Sequence, residues 1–105
     1  MKNIKKNNKN YPARNNIWLE RQKKNFSQKQ LAYIVGEKDG SSSLSHMEKG
    51  DFIPSLINAL RLSIALSTPV EAIFQELCNF LQREIEPRRN KINQLSGNAE
   101  GMDSS

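Results

Sequence analysis

Cysteine and histidine are almost missing from this 105-residue chain: there is one of each, Cys78 and His46. A single cysteine closes no disulfide within the chain, and a lone thiol fits a reducing cytoplasm. One thiol and one imidazole do not complete a structural zinc site. Long apolar runs are missing as well. A membrane-spanning helix needs roughly 20 apolar residues, and the basic N-terminus is not followed by an apolar stretch, so neither a spanning helix nor a secretory leader is expected. Strand-like alternation and internal repeats are absent too. With hydrophobic residues at 36% and charged residues at 26%, the chain has room for one small domain.

Acid is nearly missing from the first part of the chain. In residues 1–29, Glu20 stands alone against nine Lys and Arg, a charge of +8, whereas residues 30–105 carry −3. Such asymmetry fits a polyanionic partner, either nucleic acid or an anionic membrane surface, and also fits a solubilising tail. "MKNIKKNNKNYPARNN" is rich in Asn and Lys and nearly free of apolar residues. Residues 1–14 are therefore expected to be a basic disordered arm. Pro87 should stop the last helix, leaving residues 87–105 as a disordered tail. The folded part is then residues 15–86.

Between these limits the apolar residues recur at helical spacing. Asn15 or Asn16 can cap a first helix, "IWLERQKKN". Ser27 followed by Gln30 makes a capping box for "QKQLAYIV", with Leu31, Ile34 and Val35 on one face and Gly36 as the closing residue. A third helix spans Ser42 to Lys49, with Leu44 and Met47 inward and Gly50 at its end. Pro54 and Ser55 launch "LINALRLSIAL", whose inner face is assigned to Leu56, Leu60 and Ile64. Thr68 and Pro69 open a long fifth helix that carries Val70, Ile73, Phe74, Leu77, Phe80, Leu81 and Ile85. The predicted core is Leu31, Ala32, Val35, Leu44, Met47, Ile53, Leu56, Leu60, Ile64, Val70, Ile73 and Phe74, joined by Trp18 and Phe26. The fold class is all-α, with five short helices.

The stretch "VGEKDGSSSLSHMEKG" tests which chemistry the chain can hold. A phosphate-binding loop needs a lysine after its second glycine and a preceding strand, and this stretch has neither. A calcium loop needs oxygen ligands at alternate positions, but Asp39 is followed at once by Gly40. His46 is adjacent to Ser45 and cannot face it on a helix, so no nucleophile–base pair forms. No enzyme site and no cofactor are expected. What fits is a helix that reads DNA: Ser41, Ser42, Ser45, His46 and Lys49 outward, Leu44 and Met47 inward, with small residues at an N-terminus that attracts phosphate.

These residues resemble the lambda-repressor-like (Cro/XRE family) helix-turn-helix proteins. The resemblance lies in "FSQKQLAYIVG", "SLSHMEKG" and "PSLINALRLSIALSTPVEAIF", and covers about Ile17 to Phe74. It departs in two places. The turn from Gly36 to Leu44 is two residues longer than usual, and Glu20 stands where many members have leucine. The resemblance implies a compact five-helix DNA-binding domain, here with an extended fifth helix. It implies that Gln28 bonds a DNA phosphate, that Ser41, Ser42 and His46 face base edges, and that Lys38 and Lys49 lie near phosphates. Several have a plainer alternative: Gln28 and His46 as ordinary surface residues, the serines as helix caps, and Arg21 and Glu48, paired in the family, as ordinary surface charges. It also implies that Arg21 and Glu48 form a partly buried structural ion pair. The expected function is that of a sequence-specific transcriptional regulator, repressor-like, in the cytoplasm with the nucleoid. It would bind double-stranded DNA as a homodimer, with the fifth helix also open to a protein partner and no membrane partner. Two alternatives remain: an antitoxin component of a toxin–antitoxin pair, and a protein-interaction module on the same scaffold.

Overall fold

Residues 11–37 and 41–95 are described by the computed structural model, and among them there are six helices and no strand. In chain order these are α1 (Ile17–Lys23), α2 (Gln28–Val35), α3 (Ser42–Lys49), α4 (Leu56–Leu66), α5 (Val70–Ile73) and α6 (Gln75–Leu95). The all-α class stands. The number of helices is six rather than five, because Phe74 leaves helical geometry (φ −111°, ψ 49°) and divides the expected fifth helix. Phe74 is buried in the core, and the next helix starts at Gln75.

Local bonds explain the helix ends. The Ser27 hydroxyl accepts from Gln30 N at 3.0 Å, and the Gln30 side chain accepts from Ser27 N at 2.8 Å, which satisfies two N-terminal donors of α2. Ser55 Oγ accepts from Asn58 N at 3.2 Å and starts α4. At α1 the side chain of Asn16 makes no cap. Asn15 Oδ1 instead accepts from Ile17 N at 3.0 Å, while Asn15 Nδ2 donates to Met47 O at 2.7 Å and Asn16 Nδ2 to Ala72 O at 2.9 Å. Two successive amides thus tie the start of α1 to α3 and α5. Thr68 does not cap α5 either; its hydroxyl lies 2.9 Å from Leu66 O and 3.3 Å from Glu20 Oε1. Glu20 therefore has a polar partner in Thr68.

The core is built from Ile17, Leu31, Ala32, Val35, Leu44, Met47, Ala59, Leu62, Leu66, Ile73 and Phe74, with Phe26, Phe52, Val70 and Leu77 packed on it. The largest departure from the sequence expectation is in α4. Leu56, Leu60 and Ile64 are 71%, 46% and 79% exposed, whereas Leu62 and Leu66 are 1% and 0%. The buried row includes Ala59, whose small side chain lets a neighbouring helix approach closely. Ile34 and Trp18 are also exposed, and Ile53 is only half-buried. Trp18 follows Ile17 by one position, and the helix turns it away from the face that Ile17 and Arg21 bury.

Both predicted boundaries move outward. Pro87 does not stop α6, which continues to Leu95. A proline inside a helix removes one backbone bond and crowds the preceding turn, at a cost of about 3 kcal/mol. The residues after it, Arg88 to Leu95, can still bond among themselves. At the other end, Tyr11 stands edge-on to Phe80 with ring centroids 5.6 Å apart, and Arg14 Nη1 lies 3.3 Å from Glu76 Oε2. Residues 11–14 thus belong to the folded body. The rest of the predicted arm, residues 1–10, and of the predicted tail, residues 96–105, lies outside the described residues.

Candidate nucleic-acid interface

α3 has one buried face and one polar face. Leu44 and Met47 are buried, and Ser42, His46 and Lys49 are exposed, with Ser45 half-buried between them. At 100° per residue, Ser42, Ser45, His46 and Lys49 fall within one arc of about 100°, opposite the buried pair. Ser41 is at the N-cap position, yet its side chain makes no capping bond, and Ser43 is half-buried at the side. Lys38 lies outside the described residues.

The helix is held from below by a buried charge pair. Arg21 Nε donates to Glu48 Oε2 at 2.6 Å and Nη2 donates to Glu48 Oε1 at 3.1 Å; the two side chains are only 8% and 6% exposed. Arg21 Nη1 also donates to Phe26 O at 2.9 Å. This is the forked geometry that makes arginine–carboxylate pairs directional. Gln28 adds a third bond to the same carboxylate, from Nε2 to Glu48 Oε1 at 3.0 Å. The Glu48 carboxylate on α3 thus gathers α1 and the first residue of α2, and Arg21 ties in the turn after α1. Gln28 commits one of its two amide N–H groups inward, and only the other is left for an outside phosphate.

His46 has a defined partner too. Its Nδ1 lies 2.7 Å from Asp51 Oδ2. A carboxylate only accepts, so Nδ1 is the donor and Nε2 is the ring atom left for another contact. Asp51 reaches this place because Gly50, at φ +80°, folds the chain back and lets Asp51 N donate to His46 O at 3.0 Å. A Cβ at Gly50 would sit 3.3 Å from Ala13 O, so the N-terminal segment closes over this turn.

Sequence reasoning did not single out Asp51, the bonds of Asn15 and Asn16 to Met47 and Ala72, or the inward bond of Gln28. The Asp51 contact had one legible signal, a glycine C-cap four residues after His46, which predicts a reversal that brings back the next side chain. The two asparagine bonds span 32 and 56 residues and had none. Among the described residues no group of three His, Cys, Asp or Glu could hold a metal ion, and no helix is long and apolar enough to cross a membrane. No protein-family model matches the chain, and no curated protein or solved structure is similar to it.

Proposed function

We propose that the chain is a sequence-specific DNA-binding transcriptional regulator of the helix-turn-helix kind, repressor-like in action, working on the nucleoid in the cytoplasm. The observation that carries this reading is the outward arc of Ser42, Ser45, His46 and Lys49 on a helix anchored from behind by Arg21, Glu48 and Gln28. Small side chains at the N-terminal end admit close approach to a duplex. A fixed backbone sets where the arc lies in the major groove.

Each residue then has a role. Ser42 and Ser45 bond base edges with little discrimination, since a hydroxyl both donates and accepts. His46 offers Nε2, oriented by Asp51. Lys49 and the second N–H of Gln28 contact phosphates and fix the register. Ser41 stands at the same end of α3, and Lys38, four residues before that helix in the sequence, adds a further phosphate contact. Residues 1–10, with four lysines, add affinity that is independent of sequence and falls with salt. Each base contact contributes roughly 1–3 kcal/mol, so one domain discriminates weakly and two copies on a two-fold site are required.

Selection of bound sequences from random duplex DNA tests the proposal. The expected product is a palindrome with half-sites one helical turn apart, about 34 Å. His46→Ala should lower affinity for that product while leaving affinity for unrelated DNA unchanged. Deleting residues 1–10 should flatten the salt dependence and keep the selected sequence. No enrichment, with no binding to any duplex at low salt, would overturn the reading in favour of a protein-interaction module. The exposed Leu56, Ile57, Leu60 and Ile64 would then be the surface to examine.

A further inference from the structure

Among the described residues, the second half of α6 carries an apolar seam whose side chains are exposed. The 21-residue helix is about 31 Å long, and none of its residues is buried. Its first turns are held to the body by Arg14–Glu76, by Tyr11 on Phe80 and by Leu77 on the core. From Gln82 onward every residue is exposed except the half-buried Glu86. A helical segment this short does not hold its shape alone in water, and Pro87 weakens it further by removing a backbone bond. A helix that persists to Leu95 under those conditions calls for a partner.

The side chains indicate which partner. Cys78, Leu81, Ile85, Arg88, Ile92 and Leu95 follow one another at alternating steps of three and four, the spacing of a two-helix seam. Ile85, Ile92 and Leu95 are 49%, 60% and 73% exposed. One position breaks the seam, Arg88. Two parallel copies in register would set Arg88 against Arg88, a buried like-charge contact. Antiparallel copies avoid this. With Ile85 of one copy opposite Arg88 of the other, the aliphatic stem of Arg88 covers Ile85. Leu81 then meets Ile92, Cys78 meets Leu95, and Glu84 comes beside Lys91 of the other copy. The charge favouring the parallel form would be Glu84 with Arg89, but Arg89 is already bonded to Glu86 of its own helix.

We propose that Cys78–Leu95 of α6 pairs antiparallel with the same segment of a second copy of this chain, which places the two folded bodies at opposite ends of the helical pair. This interface does not rest on DNA binding. A dimer that ignores DNA, or a monomer that binds it, would tell the two proposals apart. The contact is small, at the low end of specific interfaces, so association is expected in the micromolar range.

Sedimentation velocity of the full chain across a concentration series tests the pairing. Dimer is expected to appear as concentration rises, and Ile85→Lys should abolish it while circular dichroism still reports a folded body. Glu84→Lys should weaken the dimer at least tenfold, and adding Lys91→Glu should restore it. A strict monomer at every concentration would overturn the proposal. So would a dimer that survives Ile85→Lys and is lost with Ile64→Lys, which would place the contact on α4. Rescue of Glu84→Lys by Arg89→Glu instead of Lys91→Glu would overturn the antiparallel arrangement.

Discussion

α3 and α4 are neighbours in the chain and neighbours of the same core, yet they meet it in different ways. α3 has only two buried apolar side chains, Leu44 and Met47, and polar residues elsewhere. One orientation hides its apolar surface, and any rotation would bury serine or lysine. α4 is apolar nearly all round. Ala59, Leu62 and Leu66 are buried, while Leu56, Ile57, Leu60 and Ile64 stay in water. The lesson is that a sparse apolar pattern orients a helix more surely than a rich one. The polar residues of α3 do the excluding, and α4 has few residues to exclude with.

Substitutions should sharpen this contrast. The largest effect is expected under α3. Removing Arg21 or Glu48 by alanine leaves a buried charge without its partner, which costs about 3–5 kcal/mol. Against a usual total of about 5–15 kcal/mol, chemical denaturation should show a large loss or an unfolded chain; an unchanged midpoint would mean that the pair is not buried in solution. Next come Leu44→Ala on α3 and Leu62→Ala on α4, each expected to cost about 2–5 kcal/mol through lost packing and the cavity left behind.

Gly50→Ala follows, at about 1–3 kcal/mol, because its positive φ and the carbonyl of Ala13 at 3.3 Å both resist a side chain. Gly36→Ala, also at positive φ but with nothing within 4 Å of the added carbon, should cost less. Equal melting shifts for the two glycines would argue against closure of the N-terminal segment over the α3–α4 turn. The smallest effect belongs to the outer row of α4. Ile64→Ala should change stability by no more than about 0.5 kcal/mol. A loss as large as that of Leu62→Ala would reverse the assignment of the two rows.

The same contrast explains what could be read in advance. The capping box of Ser27 and Gln30 and the glycine ends of α2 and α3 depend on bonds a few residues apart, so their residue types announce them. The outward residues of α3 were legible for the same reason. The inner face of α4 was not, because Leu56–Leu60–Ile64 and Ala59–Leu62–Leu66 are both apolar rows at helical spacing. Pro87 misled for a related reason: its local penalty is real, but a helix can pass through it when the flanking residues favour helix. Asp51 beside His46 was half legible through Gly50. The bonds of Asn15 and Asn16 to Met47 and Ala72 were not legible, because no local rule couples residues so far apart.

The order of residues alone determined that the chain is helical, where α2 and α3 begin and end, and which side of α3 is polar. These follow from backbone bonds and side-chain spacing within one or two turns, where distance along the chain equals distance in space. Only the tertiary structure decided which row of α4 faces inward, that Phe74 divides the expected fifth helix and that Gln28 turns toward Glu48. Those outcomes depend on surfaces brought together from separate helices, whose fit is decided when they pack.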